Sequence, residues 1–297
     1  MAGSELIAII TRTKNRPLFL RRAIQSVQAQ TYTNYLHIII NDGGDQSEIV
    51  SLLTEILGEN VWASHCIVST IDSNNHMEAA TNAGLAVARE REAEYIVIHD
   101  DDDTWSPEFL SVMIRELHKY EELVPTVRGV VCRSNQVHER IEGNIITVDH
   151  LEAHAPHIPE LGLLKLADLL NSDYNFGVNQ FLYRLNALVA VGDYDQLFPV
   201  LGDWDFNLRF LQHYDIALIP NFLAFYHRRI GVSGPNANSG SGDVPRRVQW
   251  EAYQQLIYNR YLREGSAVGV LMNFPTAKIL SQLQDIQDQL TNLRKGL

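Results

Sequence analysis

The stretch that decides the fold reads Tyr95-Ile96-Val97-Ile98-His99-Asp100-Asp101-Asp102-Asp103. An apolar run of strand length passes directly into four adjacent carboxylates. A short, continuously apolar run of this kind favours a strand buried on both faces, as in a parallel sheet covered by helices. Ligands of such sheets bind beyond the carboxyl ends of the strands, so the acidic residues fall at the expected binding edge.

The residues around this stretch alternate between strand and helix signals. Buried strands are predicted at residues 6–11, 36–40, 66–71 and 95–98. Helices are predicted from Pro17, at residues 49–56 before Gly58, at residues 77–89 and from Pro107. This alternation predicts an α/β fold with a mostly parallel central sheet and helices on both faces.

The second half of the chain is more mixed. Strands are predicted at residues 129–132, 141–148, 181–183 and 216–226, and helices at residues 161–170 and 203–213. We interpret residues 149–160 as a surface loop whose histidines, His150, His154 and His157, lack metal-ligand spacing. Residues 231–245 are rich in Gly, Ser, Asn and Pro, which predicts a mobile segment that either closes over a ligand or only connects.

Domain organisation follows from length and patterning. The 297 residues suit one large domain at residues 1–248, with halves meeting near residue 105, and a helical extension at residues 249–297. Apolar residues within 279–293 follow a heptad pattern over about two heptads. That is too short to establish a coiled coil. A packed helix, a homo-oligomer contact and a linker to a further domain all remain open.

Composition limits the partners and the compartment. The net charge of −12 argues against nucleic acid and anionic membranes as default partners. No run of about 18 apolar residues and no leader pattern occurs, which predicts a cytoplasmic protein, at most peripheral at the inner face of a membrane. The two cysteines, Cys66 and Cys132, lie in apolar runs and are predicted to be reduced and buried.

Two interpretations fit the acidic cluster. One is a solvated loop that caps the following helix. The other is a site for a cation, because like charges at a binding edge are most simply explained by one. Hard carboxylate oxygens suit Mg²⁺ or Mn²⁺, which usually bind through one or two carboxylates together with substrate phosphates.

Five segments in order resemble the opening of the family 2 glycosyltransferases, which have the GT-A fold. They are Ile9-Ile10-Thr11-Arg12-Thr13-Lys14-Asn15-Arg16-Pro17, Ser26-Val27-Gln28-Ala29-Gln30-Thr31-Tyr32, Ile39-Ile40-Asn41-Asp42-Gly43-Gly44, Ala80-Thr81-Asn82-Ala83-Gly84-Leu85 and the acidic cluster. The resemblance continues through Gly202-Asp203-Trp204-Asp205 and Tyr226-His227-Arg228-Arg229, and it covers residues 5–235 in all.

The resemblance implies a role for each matching residue. The nucleotide would be bound by Thr11, Arg12, Thr13, Asn15, Asp42, Asp100 and Asp101, with Asp42 at the base. Asp102 would bind the metal and His227 would complete its site, while Arg228 and Arg229 would contact the diphosphate. Trp204 and Asp205 would lie toward the sugar or the acceptor.

Asp203 is the candidate catalytic base. An inverting transfer needs one carboxylate near the acceptor hydroxyl, and Asp203 opens a predicted helix where relatives carry such an acid. The alternative is a helix N-cap, a position that aspartate favours. Asp205 is the second candidate for the base, and it could equally be an acid of the first helical turn.

The resemblance implies a nucleotide-sugar donor, UDP-sugar first and dTDP-sugar next, and a glycan or glycolipid acceptor, plausible in bacterial surface polysaccharide synthesis. Two other functions stay open. The chain could be a non-catalytic sugar-nucleotide-binding module of a larger synthase. Asp100-x-Asp102-x-Thr104 also matches an aspartyl-phosphatase motif, although that motif normally follows the first strand and here three strand signals precede it. A dinucleotide enzyme is disfavoured, because no Gly-x-Gly-x-x-Gly follows the first strand.

Overall fold

The computed structural model describes residues 5–71, 76–154, 162–170, 176–229, 231–232, 234–238, 244–265, 282–283 and 286–287. The chain divides into two compact units, residues 1–164 with 176–241 and residues 165–175 with 242–297. The strands are β1 (Ile7–Thr13), β2 (Tyr35–Asp42), β3 (Cys66–Ile71), β4 (Tyr95–Asp100), β5 (Thr104–Trp105), β6 (Val127–Glu142), β7 (Ile145–Ala153), β8 (Gly162–Leu163), β9 (Phe181–Arg184) and β10 (Asp215–Arg229). The α-helices are α1 (Pro17–Gln28), α2 (Gln46–Leu57), α3 (Glu59–His65), α4 (His76–Glu90), α5 (Phe109–Leu123), α6 (Leu166–Leu170), α7 (Leu188–Val191), α8 (Gly202–His213) and α9 (Val244–Arg263).

The strands of the first unit form one sheet, in the order β3-β2-β1-β4-β9-β6-β10-β5, with β7 beside β6 and β8 beside β10. Its first four strands are parallel, and β6 and β10 are also parallel to each other. The register places Thr13 opposite Asn41 and Arg12 opposite Asp100. The carboxyl ends of β1, β2 and β4 therefore meet at one edge, as the sequence predicts.

Helices cover both faces of the parallel strands. On one face, α5 buries Phe109 and Met113 against Ile9 of β1 and Val97 of β4. Neighbouring strand residues point to opposite faces, so Ile10 lies on the other side, where it meets Gly84 of α4. The predicted α/β fold with a mostly parallel, doubly covered sheet is confirmed.

Several predicted boundaries differ from the structure. The strand predicted at residues 141–148 is in fact a hairpin, because the chain turns at Gly143 and Asn144 between β6 and β7. Residues 149–153 belong to β7 and are not a loop. Helix α5 begins at Phe109, two residues after Pro107. His157 and most of the heptad segment 279–293 lie outside the described residues.

No helix among the described residues is both long enough and apolar enough to span a bilayer.

Helix α4 approaches β1 so closely that Gly84 has no room for a side chain. A Cβ on Gly84 would lie 2.4 Å from Cγ2 of Ile10, a fully buried strand residue. We expect Gly84→Ala to lower the free energy of unfolding by about 1–3 kcal/mol, because a core this dense cannot absorb an extra methyl group. Urea denaturation measures the change. Ala86→Ser, on the exposed side of the same helix, is the control, and equal stability of the two variants would contradict the close contact.

Candidate active site

The acidic loop after β4 is buried in the protein. Asp101 and Asp103 are almost completely inaccessible to solvent. Asp103 accepts hydrogen bonds from Asn179 Nδ2 (2.7 Å) and from the backbone N–H of His227 (3.0 Å), which tie the loop to β10. The interpretation as a solvated capping loop is therefore wrong.

Arginines from three elements neutralise the other carboxylates of the loop. Arg12 of β1 pairs with Asp100. Arg16, just before α1, donates to Asp101 Oδ1 and Asp102 Oδ2, both at 2.7 Å. Arg229 of β10 donates to the same Asp102 oxygen at 2.6 Å. The cleft of this acidic protein thus has its own cluster of positive charge.

The arginines decide which carboxylate is ionised. Burial disfavours the Asp102 carboxylate, but the charges of Arg16 and Arg229 outweigh it and hold its pKa at about 2. Burial and the charge of Asp102 raise the pKa of Asp101, in spite of Arg16. Asp102 is therefore the more readily ionised member of this pair.

A cleft opens at this edge of the sheet. It is lined by Arg12, Thr13, Lys14, Arg16, Asp42, Met77, Ala80, Asp100, Asp101, Asp102, Tyr226, His227, Arg229 and Asn238. One carboxylate oxygen of Asp42, Oδ1, is buried without a hydrogen-bond partner among the described residues, while Oδ2 lies 3.7 Å from Lys14 Nζ. An unpaired buried acceptor is costly unless a ligand supplies the donor.

Two predicted nucleotide-binding residues do not line this cleft. Thr11 is fully buried, and its hydroxyl bonds to Nε2 of His37 at 2.8 Å. Asn15 turns the chain with a φ of 51° and does not line the cleft. Thr11 lies two residues before Thr13 and therefore deeper in β1, while Asn15 forms the turn that follows the strand. A contact of Thr11 or Asn15 with a nucleotide stays a prediction.

His227 is bound through both ring nitrogens. Its Nδ1 contacts Glu139 Oε2 at 2.8 Å and its Nε2 contacts the Thr104 hydroxyl at 2.9 Å. Burial lowers the pKa of His227, although Glu139 opposes that effect. His227 would have to release one of these partners to bind a metal, so that role stays a prediction.

Glu139 is the centre of a network that the sequence did not reveal. It is completely buried and accepts hydrogen bonds from Arg22 Nη1 (2.7 Å) and Nη2 (3.2 Å), while Arg229 Nη1 lies 3.7 Å away. Arg22 also donates to the backbone oxygen of Asp102. The network connects α1, β6 and β10 to the acidic loop.

The two arginines at the end of β10 are separated by strand alternation. The side chain of Arg229 is 1% exposed and reaches Asp102 in the cleft. Arg228 points to the opposite face of the strand, where Nη1 donates to Gln136 Oε1 at 3.3 Å. Arg229 therefore lines the cleft, and a contact of Arg228 with a diphosphate stays a prediction.

Asp203 lies beside the cleft in the first turn of α8. Its Oδ1 accepts a hydrogen bond from the backbone N–H of Trp204 at 2.8 Å. Burial raises its pKa, while Arg12 lowers it and Asp100 raises it further. Leu201, at the start of the helix, has a φ of 64°, a conformation that is rare outside glycine and is concentrated at functional sites.

The next two residues of α8 point into the protein. Trp204 is buried, and Asp205 is completely buried with Oδ2 2.9 Å from Arg209 Nε. Arg209 also donates to the backbone oxygens of Val191 and Asp193. A role for Trp204 and Asp205 toward an acceptor does not follow from these positions, and Asp205 is less suited than Asp203 to act as a base.

The sequence profile of Glycosyl transferase family 2 matches residues 8–184. The chain belongs to that family. An uncharacterised glycosyltransferase of Nostoc sp. is 27% identical over 156 residues, which is 52% of this chain and 43% of that protein. A glycosyl transferase of Escherichia coli named for colanic acid biosynthesis is 33% identical over 115 residues, which is 38% of each chain. These matches span less than half of the two relatives.

Solved structures with the GT-A fold resemble this family 2 chain. S. aureus TarS in complex with UDP-GlcNAc has a TM-score of 0.58 at 16% identity, over 86% of this chain and 66% of that one. The mannosyltransferase PcManGT from Pyrobaculum calidifontis, in complex with GDP-Man and Mn²⁺, has a TM-score of 0.55 at 14% identity, over 86% of this chain and 64% of that one. The predicted GT-A fold is confirmed.

The donor groups of the cleft suit a hard divalent cation. Asp100 and Asp102 both line it, and the arginines bind Oδ1 of Asp100 and Oδ2 of Asp102, so the second oxygen of each could serve as the carboxylate ligand that Mg²⁺ and Mn²⁺ prefer. Within the described residues, these carboxylates do not form a compact three-ligand group. That fits an ion that takes most of its remaining ligands from substrate phosphates and water.

A compact His/Glu group does lie elsewhere among the described residues. His138 and His150 face each other across β6 and β7, and Glu152 Oε1 lies 3.0 Å from His138 Nε2. This corrects the interpretation of His150 as a loop residue without metal spacing. The two rings are stacked 4.2 Å apart and nearly parallel, so one ion cannot lie in both ring planes unless a ring turns.

Proposed function

We propose that this chain is a glycosyltransferase that moves a sugar from a nucleoside diphosphate to an acceptor hydroxyl. The observation that carries the proposal is the cleft, which combines the unpartnered Asp42 oxygen with the arginines around Asp102. Family membership and the nucleotide sugars bound by TarS and PcManGT support it. UDP-sugar is the first candidate donor and dTDP-sugar the second.

The two ends of the cleft would bind different parts of the donor. Asp42, at the end of β2, would accept a hydrogen bond from the base. Arg12, Arg16 and Arg229 would neutralise the diphosphate, because guanidinium groups match phosphate oxygens in shape and charge. Asp102, with Asp100 beside it, would hold Mn²⁺ or Mg²⁺, which when bound stabilises the leaving diphosphate as a Lewis acid.

Transfer proceeds with inversion in this proposal. Asp203 accepts the proton of the acceptor hydroxyl while that oxygen forms a bond to C1 of the sugar. The bond from C1 to the diphosphate oxygen breaks, and its electron pair leaves with the nucleoside diphosphate. The raised pKa of Asp203 suits this step, because a base closer to neutrality takes a proton more readily.

For the acceptor we propose a chemical class and not a specific compound. The Escherichia coli relative is named for colanic acid biosynthesis, which supports a glycan or glycolipid acceptor in surface polysaccharide synthesis. The sugar nucleotides for such synthesis are cytoplasmic, so we propose that the chain acts there, free or peripheral at the inner face of the membrane.

The proposal is tested with a panel of UDP-, dTDP- and GDP-sugars in the presence of Mn²⁺. We expect one sugar nucleotide to release its nucleoside diphosphate, and the release to accelerate when a suitable glycan or glycolipid acceptor is added. If no sugar nucleotide releases its nucleoside diphosphate, while a phosphomonoester such as a sugar phosphate is hydrolysed to inorganic phosphate, the phosphatase alternative through Asp100 and Asp102 would be favoured instead.

Arg16 supplies a further prediction. We expect Arg16→Gln to weaken binding of the preferred nucleoside diphosphate in Mn²⁺ by about 10- to 100-fold, the usual range for losing a charge-assisted hydrogen bond. Calorimetric titration measures the affinity. Arg21→Gln is the matched control, because Arg21 lies in α1, the helix that Arg16 precedes, and pairs at the surface with Glu55. Equal affinities for both variants would remove Arg16 from the diphosphate site.

A further inference from the structure

Glu78 is a buried carboxyl directly behind the candidate base. It lies in the first turn of α4 and is only 3% exposed. Its side chain packs on Gly202, the residue before Asp203, so closely that a Cβ on Gly202 would lie 2.2 Å from Glu78 Oε1. Only glycine leaves room for the carboxyl at this position.

A negative charge on Glu78 would be poorly stabilised by its surroundings. Its Oε2 is buried and has no hydrogen-bond partner among the described residues. An ionised oxygen in this setting would lack both solvent and a donor, whereas a protonated carboxyl carries no charge to be solvated. The position therefore favours the neutral form.

The charges around Glu78 also favour its neutral form. Arg12 faces it from β1, Asp100 from β4 and Asp203 from α8, and the hydroxyl of Tyr194 faces Arg12 and Asp203. The one guanidinium of this group is already bound to Asp100 and to the Thr81 hydroxyl. Arg12 is thus already paired with Asp100, and within the described part of the chain Glu78 has no ion pair of its own. Burial raises the pKa of Glu78 to about 7, and Asp203 and Asp100 add to the effect while Arg12 opposes it.

We propose that Glu78 is a positioning residue for the transfer reaction, whose carboxyl keeps its proton in the resting enzyme so that Asp203 can carry the negative charge. Two ionised carboxylates beside one shared guanidinium would repel each other, and the less solvated one, Glu78, gives up its charge first. Asp203 then stays ionised and ready to accept the acceptor proton. This inference rests on the proposed role of Asp203.

Stability against pH tests the protonation of Glu78 without any substrate. A carboxyl whose pKa rises from 4.5 to about 7 on folding stabilises the fold less and less as the pH rises through that window. The wild type should therefore lose stability relative to Glu78→Gln between pH 4.5 and pH 8, by on the order of 100-fold in the unfolding equilibrium constant. Glu90→Gln, at the exposed end of the same helix, should show no such divergence.

The pH profile of kcat/KM tests the catalytic role. Wild-type transfer should show an ionisation near pH 7 that Glu78→Gln lacks, while transfer at pH 6 survives in the variant because glutamine, like protonated glutamate, is neutral. A purely structural residue would not remove an ionisation from the profile.

The outcomes separate this inference from the proposed function. Parallel stability curves for the wild type and Glu78→Gln would show that Glu78 is ionised throughout, which overturns the inference. Loss of transfer in Glu78→Gln together with an active Asp203→Asn variant would make Glu78 the base and also overturn it. The stability curves of the wild type and Glu78→Gln could also diverge in a chain that transfers no sugar. That result would establish that Glu78 is protonated, but it would refute the proposed function and therefore the role of Glu78 in transfer.

Discussion

Asp203→Asn is expected to lower the rate of sugar transfer by about 10²- to 10⁴-fold, the usual contribution of a general base. Asparagine cannot take the proton of the acceptor hydroxyl. Its amide oxygen can still accept the hydrogen bond from the Trp204 backbone N–H, so the start of α8 should keep its geometry. Steady-state kinetics with the preferred donor measures the loss. Donor affinity, measured by calorimetry, should change little.

The matched control for this variant is Asp195→Asn. Asp195 also accepts a backbone hydrogen bond, from Leu197 at 2.9 Å, but it does not line the cleft. The Asp195→Asn variant should transfer sugar at the wild-type rate. Full turnover by Asp203→Asn would show that another group is the base.

Glu139→Gln is expected to lower the free energy of unfolding by about 3 kcal/mol at pH 7. Glu139 is completely buried and contacts Arg22, Arg229 and His227. Removing its charge leaves the two arginines with too little compensation inside the protein, which is why breaking a buried pair from one side is costly. Urea denaturation of the two proteins measures the difference.

The stabilisation that Glu139 provides should decrease at acidic pH. Burial disfavours the Glu139 carboxylate, but the contacts with His227 and Arg22 prevail and hold its pKa at about 2, below the usual 4.5. A carboxyl whose pKa falls on folding adds stability above the unfolded value and loses it as the pH falls through the folded value. The advantage of the wild type over Glu139→Gln should be complete above about pH 4.5 and shrink toward pH 2.

Glu152→Gln is the control for Glu139→Gln. Glu152 is an exposed glutamate that also contacts a histidine, His138, from the hairpin strand β7. Removal of its charge should change stability little, because exposed pairs contribute little. Equal stability of Glu139→Gln and Glu152→Gln at pH 7 would show that the buried network does not stabilise the fold.

The sheet and its binding edge could be predicted because their signals are local. The strand before Asp100 is a continuous apolar run, and β1, β2 and β3 each contain an apolar run of three or more residues. Parallel strands then bring their carboxyl ends together whatever the details of packing. For this reason the positions of Arg12, Asp42 and Asp102 at one cleft follow from the sequence pattern.

The partners of the acidic loop could not be predicted, because they depend on register over long separations. Glu139 and Arg229 lie opposite each other on parallel strands although they are 90 residues apart in sequence, and Arg22 reaches both the loop and Glu139 from a helix. Glu78 meets Gly202 only through tertiary packing. Nothing in the neighbouring sequence marks such contacts.

Two differences between the predicted site and the observed side-chain directions could have been predicted from the sequence. Adjacent residues of a strand point to opposite faces, so Arg228 and Arg229 could not both reach one cleft. Similarly, successive residues of a helix turn by about 100°, so Asp203, Trp204 and Asp205 could not share one direction. If both periodicities had been applied strictly, Arg229 but not Arg228 would have been predicted at the diphosphate. In the same way, Asp203 but not Trp204 or Asp205 would have been predicted at the cleft.

Calorimetric titration with UDP, dTDP and GDP, each in Mn²⁺ and in EDTA, tests the central claim most directly. The account predicts that one of these nucleoside diphosphates binds, and that its affinity falls when EDTA removes the metal. That result would show metal-dependent binding of a nucleoside diphosphate and name the donor class. If the folded chain binds none of the three in either condition, the claim that it uses a nucleotide-sugar donor is contradicted.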